Sequence, residues 1–292
     1  MSGVEPGPDE ALTREEIAGT EVPGAPVASG SKPRNAFSEL MSRKSPKAPA
    51  AEARLQSQSQ HPFRKLYKDR DGLGAYIHHP ESYPSSRVAY HNDSFVVIYD
   101  MYPKASVHTL LLPRSRAHSK QHPFDAFEDA AFLAGVRAEV AELKQHVAKE
   151  LQRKFGKFSA KDAEREAVLN GEQEAYVGAD GKPRLPAGRD WLKEVVAGIH
   201  AGPSMNHVHV HVLSRDMFSE KVKHRKHYNS FNTPFLVDIA DFPLPKDDVR
   251  RHKKGAFLSS DLVCWRCGKN FVNQFAKLKA HLAVEFEAWK KE

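Results

Sequence analysis

Apolar residues are scattered without period over about the first sixty positions and then gather, from Tyr67 onward, into runs with a definite rhythm. Two β-branched and aliphatic runs come first, SFVVIYD (Ser94 to Asp100) and VHTLLLP (Val107 to Pro113), and MYPKAS between them places Pro103 in a loop. Short runs of this composition bounded by turn residues predict a pair of strands. From Asp125 to Phe155 apolar residues recur at Val136, Val140, Leu143, Val147 and Leu151, a spacing of three and four that lines one face of a long helix. KEVVAGIH (Lys193 to His200) and NHVHVHVL (Asn206 to Leu213), joined by Ala201-Gly202-Pro203-Ser204, predict two more strands about a turn. The fold class is therefore α+β, an antiparallel sheet with covering helices, over residues 61–240.

The rest of the chain lacks such rhythm. Residues 1–60, rich in Pro, Ala, Ser, Gly and Glu, predict a disordered tail, because too little apolar surface can be buried to offset the entropy of ordering. Within it NAFSELMSRKSP (Asn35 to Pro46) sets Phe37, Leu40 and Met41 at helical spacing, either a chance cluster or a segment that folds on a protein partner. Residues 156–189 are charged and then rich in Gly and Pro, too long for an ordinary connection and read as an insertion. A Pro- and Lys-rich basic linker, 241–260, leads to a finger-sized module, 261–292.

The formal net charge of +7 falls outside the tail, where acids slightly outnumber bases, so a polyanion is the natural partner. Cys264 and Cys267 are the only cysteines. CxxC spacing is too tight for a stabilising staple and points to metal in a reducing compartment. No run is long and apolar enough to span a membrane, and the first residues lack the features of a signal peptide. These observations predict a soluble intracellular protein with no membrane association, read as a monomer.

The candidate chemistry lies in one segment. His207, His209 and His211 alternate with Val208, Val210 and Val212; on a strand this places three imidazoles on one face, about 6–7 Å apart, and three valines in the core. Zinc chelation by the HxH pattern is one reading, although no acidic ligand sits in obvious register. Nucleophilic catalysis on phosphorus is the other. His209 would attack, its neighbours would hold phosphate oxygens, and His200, across the turn, would protonate the leaving group.

GIHAGPSMNHVHVHVLSRD (Gly198 to Asp216), with KHYNSF (Lys226 to Phe231) downstream, resembles the histidine-triad family and, within it, the aprataxin branch, especially its fungal members. The resemblance spans roughly residues 65–292, with 156–189 poorly matched. It implies a histidine-triad fold and a DNA-adenylate hydrolase in the nucleus, acting in single-strand break repair. His209 would form an adenylyl-histidine intermediate, DNA with a 5′ end would leave, and water would release AMP. By position His200 matches the general acid, His207 and His211 the supporting histidines, and Ser204 a phosphate contact. YDMYPKASVH (Tyr99 to His108) resembles the family's nucleotide pocket. Asp100 then fits a ribose acceptor, Met101 a packing surface for adenine and Lys104 a phosphate neutraliser, with His108 and Asn206 completing the nucleotide-binding set. Lys226 and His227 match a DNA-facing pair, and the tail segment 35–46 becomes a candidate site for a repair-protein partner. A general histidine-triad nucleotide hydrolase or phosphoramidase, and a non-catalytic DNA-binding scaffold, are the alternatives.

Two basic runs accompany the motif. EKVKHRKHYNSF carries Lys221, Lys223, Arg225 and Lys226 beside Tyr228 and Phe231, and Arg250, Arg251, Lys253 and Lys254 form a second run, a DNA contact or a nuclear-import signal. In the last segment CxxC is followed after thirteen residues by His281, with Glu285 four further on. Residues four apart share a helix face, so Cys264, Cys267, His281 and Glu285 can complete a tetrahedral structural zinc site, and no metal is expected for catalysis. Glutamate in place of the usual second histidine is similar to the fungal members. Phe271, Phe275 and Leu278 would form the finger's core, and Lys269, Lys277 and Lys279 would face phosphates. The branch's aromatic wedge for the terminal base pair has three candidates here, Tyr67, Leu73 and Tyr76.

Overall fold

The protein is seen in a computed structural model, in which residues 69–292 are described; the predicted tail, the Asn35 to Pro46 segment and Tyr67 lie outside the described residues. Strands β1 (Val88–His91), β2 (Phe95–Tyr99), β3 (His108–Pro113), β6 (Val195–His200), β7 (Val210–Ser214) and β8 (Leu236–Asp238) form an antiparallel sheet in the order β1-β2-β3-β7-β6-β8. The insertion folds locally, with a small hairpin of β4 (Tyr176–Val177) and β5 (Pro183–Arg184). Helices are α1 (Gly74–His78), α2 (Pro123–Ala126), α3 (Ala130–Phe155), α4 (Ala163–Leu169), α5 (Arg225–Asn232), α6 (Val249–His252), α7 (Lys254–Leu258) and α8 (Phe275–Trp289).

The alternation along β2 and β3 sorts the two faces. Val97 and Leu111 join Val210 and Val212 beneath α3, whose Val136, Val140, Leu143, Val147 and Leu151 are all buried as the helical spacing requires. Asp129 starts that helix, its carboxylate accepting from the amides of Ala131 and Phe132 at 3.0 Å each, which satisfies two otherwise orphaned donors. On the opposite face Val96, Ile98, Leu110 and Leu112 pack against Leu73 and Ile77 of the α1 region. Leu73 is thus a core residue, and Tyr76 is half-buried beside Tyr83, ring centroids 4.3 Å apart.

Two parts of the chain differ from the sequence-based expectation. Strand β7 begins at Val210 instead of Asn206. The preceding residues are held by loop contacts, Asn206 N to the Arg70 carbonyl at 2.9 Å and Val208 N to the Ser119 carbonyl at 2.8 Å. Residues 241–260, expected to be a basic linker, are packed: Phe242, Leu244 and Leu258 are buried in the main core. Their guanidinium groups serve the fold, Arg250 pairing with Asp248 at 2.8 Å and with Asp241, and Arg251 with Glu128 at 3.0 Å. Two of the four cations of the basic run, Arg250 and Arg251, are thereby paired with carboxylates.

The insertion anchors the finger helix to the sheet domain. Asp162 accepts from the Trp191 indole at 2.7 Å and the Arg189 amide at 2.9 Å. Arg189 then donates to the Trp289 carbonyl at 2.6 Å and to Glu194 at 3.0 Å, while the Trp289 indole donates to Glu194 at 2.7 Å. Phe286 and Trp289 of α8 belong to the same apolar cluster as the sheet. No helix among the described residues is long and apolar enough to cross a membrane.

Candidate active site and metal centre

His108 of β3 and His211 of β7 lie on one sheet face, since Leu110, two residues from His108, stands opposite His211 in the ladder. Gly198 of β6 is the other cross-strand neighbour of His211, and His200 ends that strand two residues later on the same face. The rings meet: His200 and His211 at 4.3 Å between centroids, His209 and His211 at 5.0 Å, His108 and His211 at 5.2 Å. Phe231 of α5 stands edge-on to His108, His200 and His211 at 5.4, 4.8 and 5.1 Å. The row of three valines enters the core as expected, all with at most 1 % exposure.

Hydrogen bonds fix which nitrogens carry protons. His209 Nδ1 lies 2.7 Å from the His207 carbonyl. A carbonyl only accepts, so Nδ1 bears the proton and Nε2 keeps its lone pair. Burial pulls the His209 pKa down, so at neutral pH the ring is an uncharged imidazole with a free nucleophilic nitrogen. The Lys104 amide donates to His108 Nδ1 at 3.1 Å, which puts the His108 proton on Nε2. That Nε2 lies 3.0 Å from His211 Nδ1, so the His211 proton sits on Nε2, an atom with no partner among the described residues. The chain of bonds from Lys104 through His108 presents His211 as a donor to whatever anion enters.

His200 has a different character. Burial holds its pKa well below 6.5, and a proton taken up by His209 or His108 and the nearby Lys104 would push it the same way, while the Ser230 backbone opposes the fall. Ser230 lies in the last turn of α5, where carbonyls lack intrahelical partners and the helix dipole favours a cation. Among the described residues, His200 Nε2 and Ser204 Oγ are buried without hydrogen-bond partners, as is each ring nitrogen of His207. Such unpaired polar atoms are costly in a folded interior, so a polar ligand that paired with them would be favoured.

His207 departs from the predicted row. Its ring lies toward Asp71, with Nδ1 4.0 Å from that carboxylate, and its part in fixing His209 is played by its backbone carbonyl. Burial lowers its pKa to about 4. Asn206 spends its amide on Asp71 at 3.2 Å. Asp100 accepts from the Tyr102 amide at 2.7 Å and lies 3.4 Å from His108 Nε2; Met101 is half-buried beside it and Lys104 is buried. The carboxylate of Asp216, which sequence reasoning did not single out, ties this loop to the end of β7. It accepts from the Ser106 amide at 3.1 Å, the Phe218 amide at 2.9 Å and the Ser214 hydroxyl.

Asp100, His108 and His211 bring donor atoms within 4.8 Å of one another, yet they do not make a good metal site. A metal on His108 Nε2 would require a proton on Nδ1, which the Lys104 amide already faces, so the ring would have to become imidazolate. The trio is a proton-sharing array, and the zinc-chelate reading of the histidines loses its support.

The second cluster has metal-site geometry. Cys264, Cys267, His281 and Glu285 also bring donors within 4.8 Å. His281 Nε2 lies 3.1 Å from Cys267 Sγ and 3.1 Å from Glu285 Oε1. The Cys264 to Cys267 turn is closed by Gly268 N on the Cys264 carbonyl at 3.0 Å, with Gly268 at φ 73°, where a side chain would be strained. The Lys269 amide favours the Cys267 thiolate, but burial and the crowding of Glu285 and Cys264 carry the thiol pKa upward. A bound cation would relieve that crowding. Two thiols, an imidazole and a carboxylate in tetrahedral reach fit zinc. Phe271 and Leu278 are buried and Phe275 packs against them, as expected.

The predicted DNA contacts divide. Lys226, at the start of α5, is partly exposed, and Lys269 and Lys277 are exposed. His227 is fully buried, its Nδ1 accepting from the Lys223 amide at 3.1 Å and its ring 3.6 Å from that of His224. It builds the turn that presents Lys226 instead of facing outward with it. Lys279 is committed to the Val222 carbonyl at 2.7 Å.

Comparison with known proteins agrees with this architecture. Residues 82–218 match the HIT domain model, and residues 232–288 match the C2HE / C2H2 / C2HC zinc-binding finger. The finger match begins within α5 and includes the segment expected to be a linker. The chain is 33% identical to the aprataxin-like protein of Saccharomyces cerevisiae, covering 75% of this chain and 96% of that one. It is 33% identical to that of Schizosaccharomyces pombe, covering 75% and 82%. Among solved structures it resembles Hnt3 in complex with DNA and guanosine, with a TM-score of 0.57 at 31% identity, covering 75% of this chain and 96% of that one. It also resembles the aprataxin ortholog Hnt3 in complex with DNA, with a TM-score of 0.56 at 30% identity and the same coverage.

Proposed function

The chain belongs to the aprataxin-like family, with a HIT domain followed by a C2HE zinc finger, and from that premise we propose that it removes AMP from 5′-adenylated DNA ends left by abortive ligation. The observation that carries this reading is the locked tautomer of His209, a neutral buried ring whose Nδ1–H is held by the His207 carbonyl and whose Nε2 is free to attack.

His209 Nε2 would form a bond to the AMP phosphorus as the bond to the DNA 5′-phosphate oxygen breaks. His211 Nε2–H and the Ser204 hydroxyl, both buried and unpaired among the described residues, would donate to the phosphoryl oxygens as charge develops. His200 begins neutral. The incoming diphosphate, added to the end of α5, favours its protonated form, and it can then donate to the departing phosphate. Water attacks the adenylyl-histidine next, the phosphorus–nitrogen bond breaks, and AMP leaves with His209 restored. Asp100 suits the ribose hydroxyls, Met101 the adenine face and Lys104 the phosphate charge.

Zinc held by Cys264, Cys267, His281 and Glu285 would cross-link the CxxC turn to α8 and stabilise the finger. Lys226, Lys269 and Lys277 remain as phosphate contacts for DNA, and Tyr76 as the wedge candidate within the described residues. A nuclear location and a role in single-strand break repair follow from this substrate. A general histidine-triad phosphoramidase would need the same imidazoles but gains nothing from a finger packed into the sheet domain.

The test is AMP release by purified protein from a nicked duplex carrying a 5′-adenylate, beside a lysyl adenylate and a dinucleotide polyphosphate. Fast turnover of the DNA substrate, lost in His209→Ala with DNA binding retained, is expected. Turnover confined to the small substrates would overturn the DNA assignment, and an active His209→Ala would overturn the mechanism.

A further inference from the structure

The finger's fourth ligand is a carboxylate, and the residue that accompanies it comes from inside the CxxC turn. Arg266 Nη1 lies 2.5 Å from Glu285 Oε2, and its Nη2 reaches Glu292. The other oxygen, Glu285 Oε1, is the one near His281 Nε2. We propose that Arg266 is a positioning residue for the zinc site: it takes one oxygen of Glu285 so that the other alone faces Cys267 and His281.

Two physical arguments join here. The first is geometric. A free carboxylate can rotate and bind a metal through one oxygen or both, whereas a charge-assisted bond to one oxygen fixes the plane and leaves a single donor. The second is electrostatic. Two thiolates and a carboxylate around a divalent ion sum to one negative charge, which the Arg266 guanidinium balances; two thiolates and two imidazoles would balance the ion alone. Glu285 and Arg266 are therefore a matched pair. A histidine at 285 that bound the metal through one nitrogen would turn the N–H of the other toward a guanidinium that only donates, and would leave the arginine charge uncompensated on that side.

The experiment measures zinc retention by the full-length protein against a chromogenic chelator. Wild-type protein should hold one zinc per chain; none would remove the premise, separately from anything about Arg266. Arg266→Gln should weaken retention about 10- to 100-fold, the usual cost of losing a ligand's hydrogen-bond partner. Glu292→Gln, which removes only the outer contact, should stay within about threefold of wild type. Glu285→His should bind zinc poorly, and Glu285→His with Arg266→Gln should recover at least tenfold over Glu285→His alone. That gain cannot come from misfolding. Wild-type retention in Arg266→Gln, or a double variant no better than Glu285→His, would overturn the proposal.

Discussion

His108→Asn tests the proton arrangement most directly. Asparagine can keep the acceptor that the Lys104 amide uses, but it ends before the position of Nε2, so His211 Nδ1 loses its donor at 3.0 Å. A buried acceptor without a partner costs about 1–3 kcal/mol. His211 can escape that cost by moving its proton to Nδ1, which turns a bare Nε2 toward the phosphate oxygens. The productive tautomer must then be recovered at the same cost of about 1–3 kcal/mol, a fall of about 5- to 150-fold in kcat. The assay is single-turnover release of AMP from an adenylated nick, with DNA affinity and thermal midpoint as controls. Because the effect passes through His211, His108→Asn should add less than about threefold to His211→Ala. Unchanged kcat in the single variant, or independent multiplication of the two losses, would refute the relay.

Two further outcomes follow from the same structure. A Cβ on Gly198 would lie 2.6 Å from the Val237 carbonyl oxygen and 2.9 Å from Leu236 Cγ, so Gly198→Ala should push β8 away and destabilise by about 1–3 kcal/mol; a melting temperature equal to wild type would contradict the packing. Acid should unfold the protein early. Burial sets His108 at about 4 against an unfolded 6.5, so the unfolded chain takes up protons the fold refuses: stability is intact above pH 6.5 and falls by about 3 kcal/mol from this ring alone as pH drops to 4. Urea midpoints equal at pH 7.5 and pH 4.5 would count against the neutral-histidine core.

The elements legible in the sequence were those whose burial is one-sided and long. The helix stripe from Val136 to Leu151 and the aliphatic runs at β2 and β3 report their environment directly. Strands β1 and β8 escaped notice because they are sheet edges of four and three residues with exposed positions among them. The late start of β7 depends on the Ser119 and Arg70 carbonyls, which no local pattern reveals. Among site residues, the His209 and Glu285 spacings carried their own signals, because alternation and a four-residue step each imply a shared face. His108 looked like one histidine at the start of an apolar run, and its role rests on a loop amide and a ring from another strand. Arg250 and Arg251 showed their charge in the sequence but not their partners Asp241, Asp248 and Glu128.

Helix α5 joins the two chemistries through its own side chains. Its Tyr228 hydroxyl donates to the Val263 carbonyl at 2.8 Å and accepts from the Trp265 amide at 3.0 Å, beside the cysteines, while Phe231, less than one turn away, rests on three imidazoles. A shortened chain ending at residue 218, where the HIT match stops, would retain all five histidines of the centre and forfeit the ring that keeps three of them upright. Cut at that point, the catalytic half would also lose β8, the edge strand beside β6.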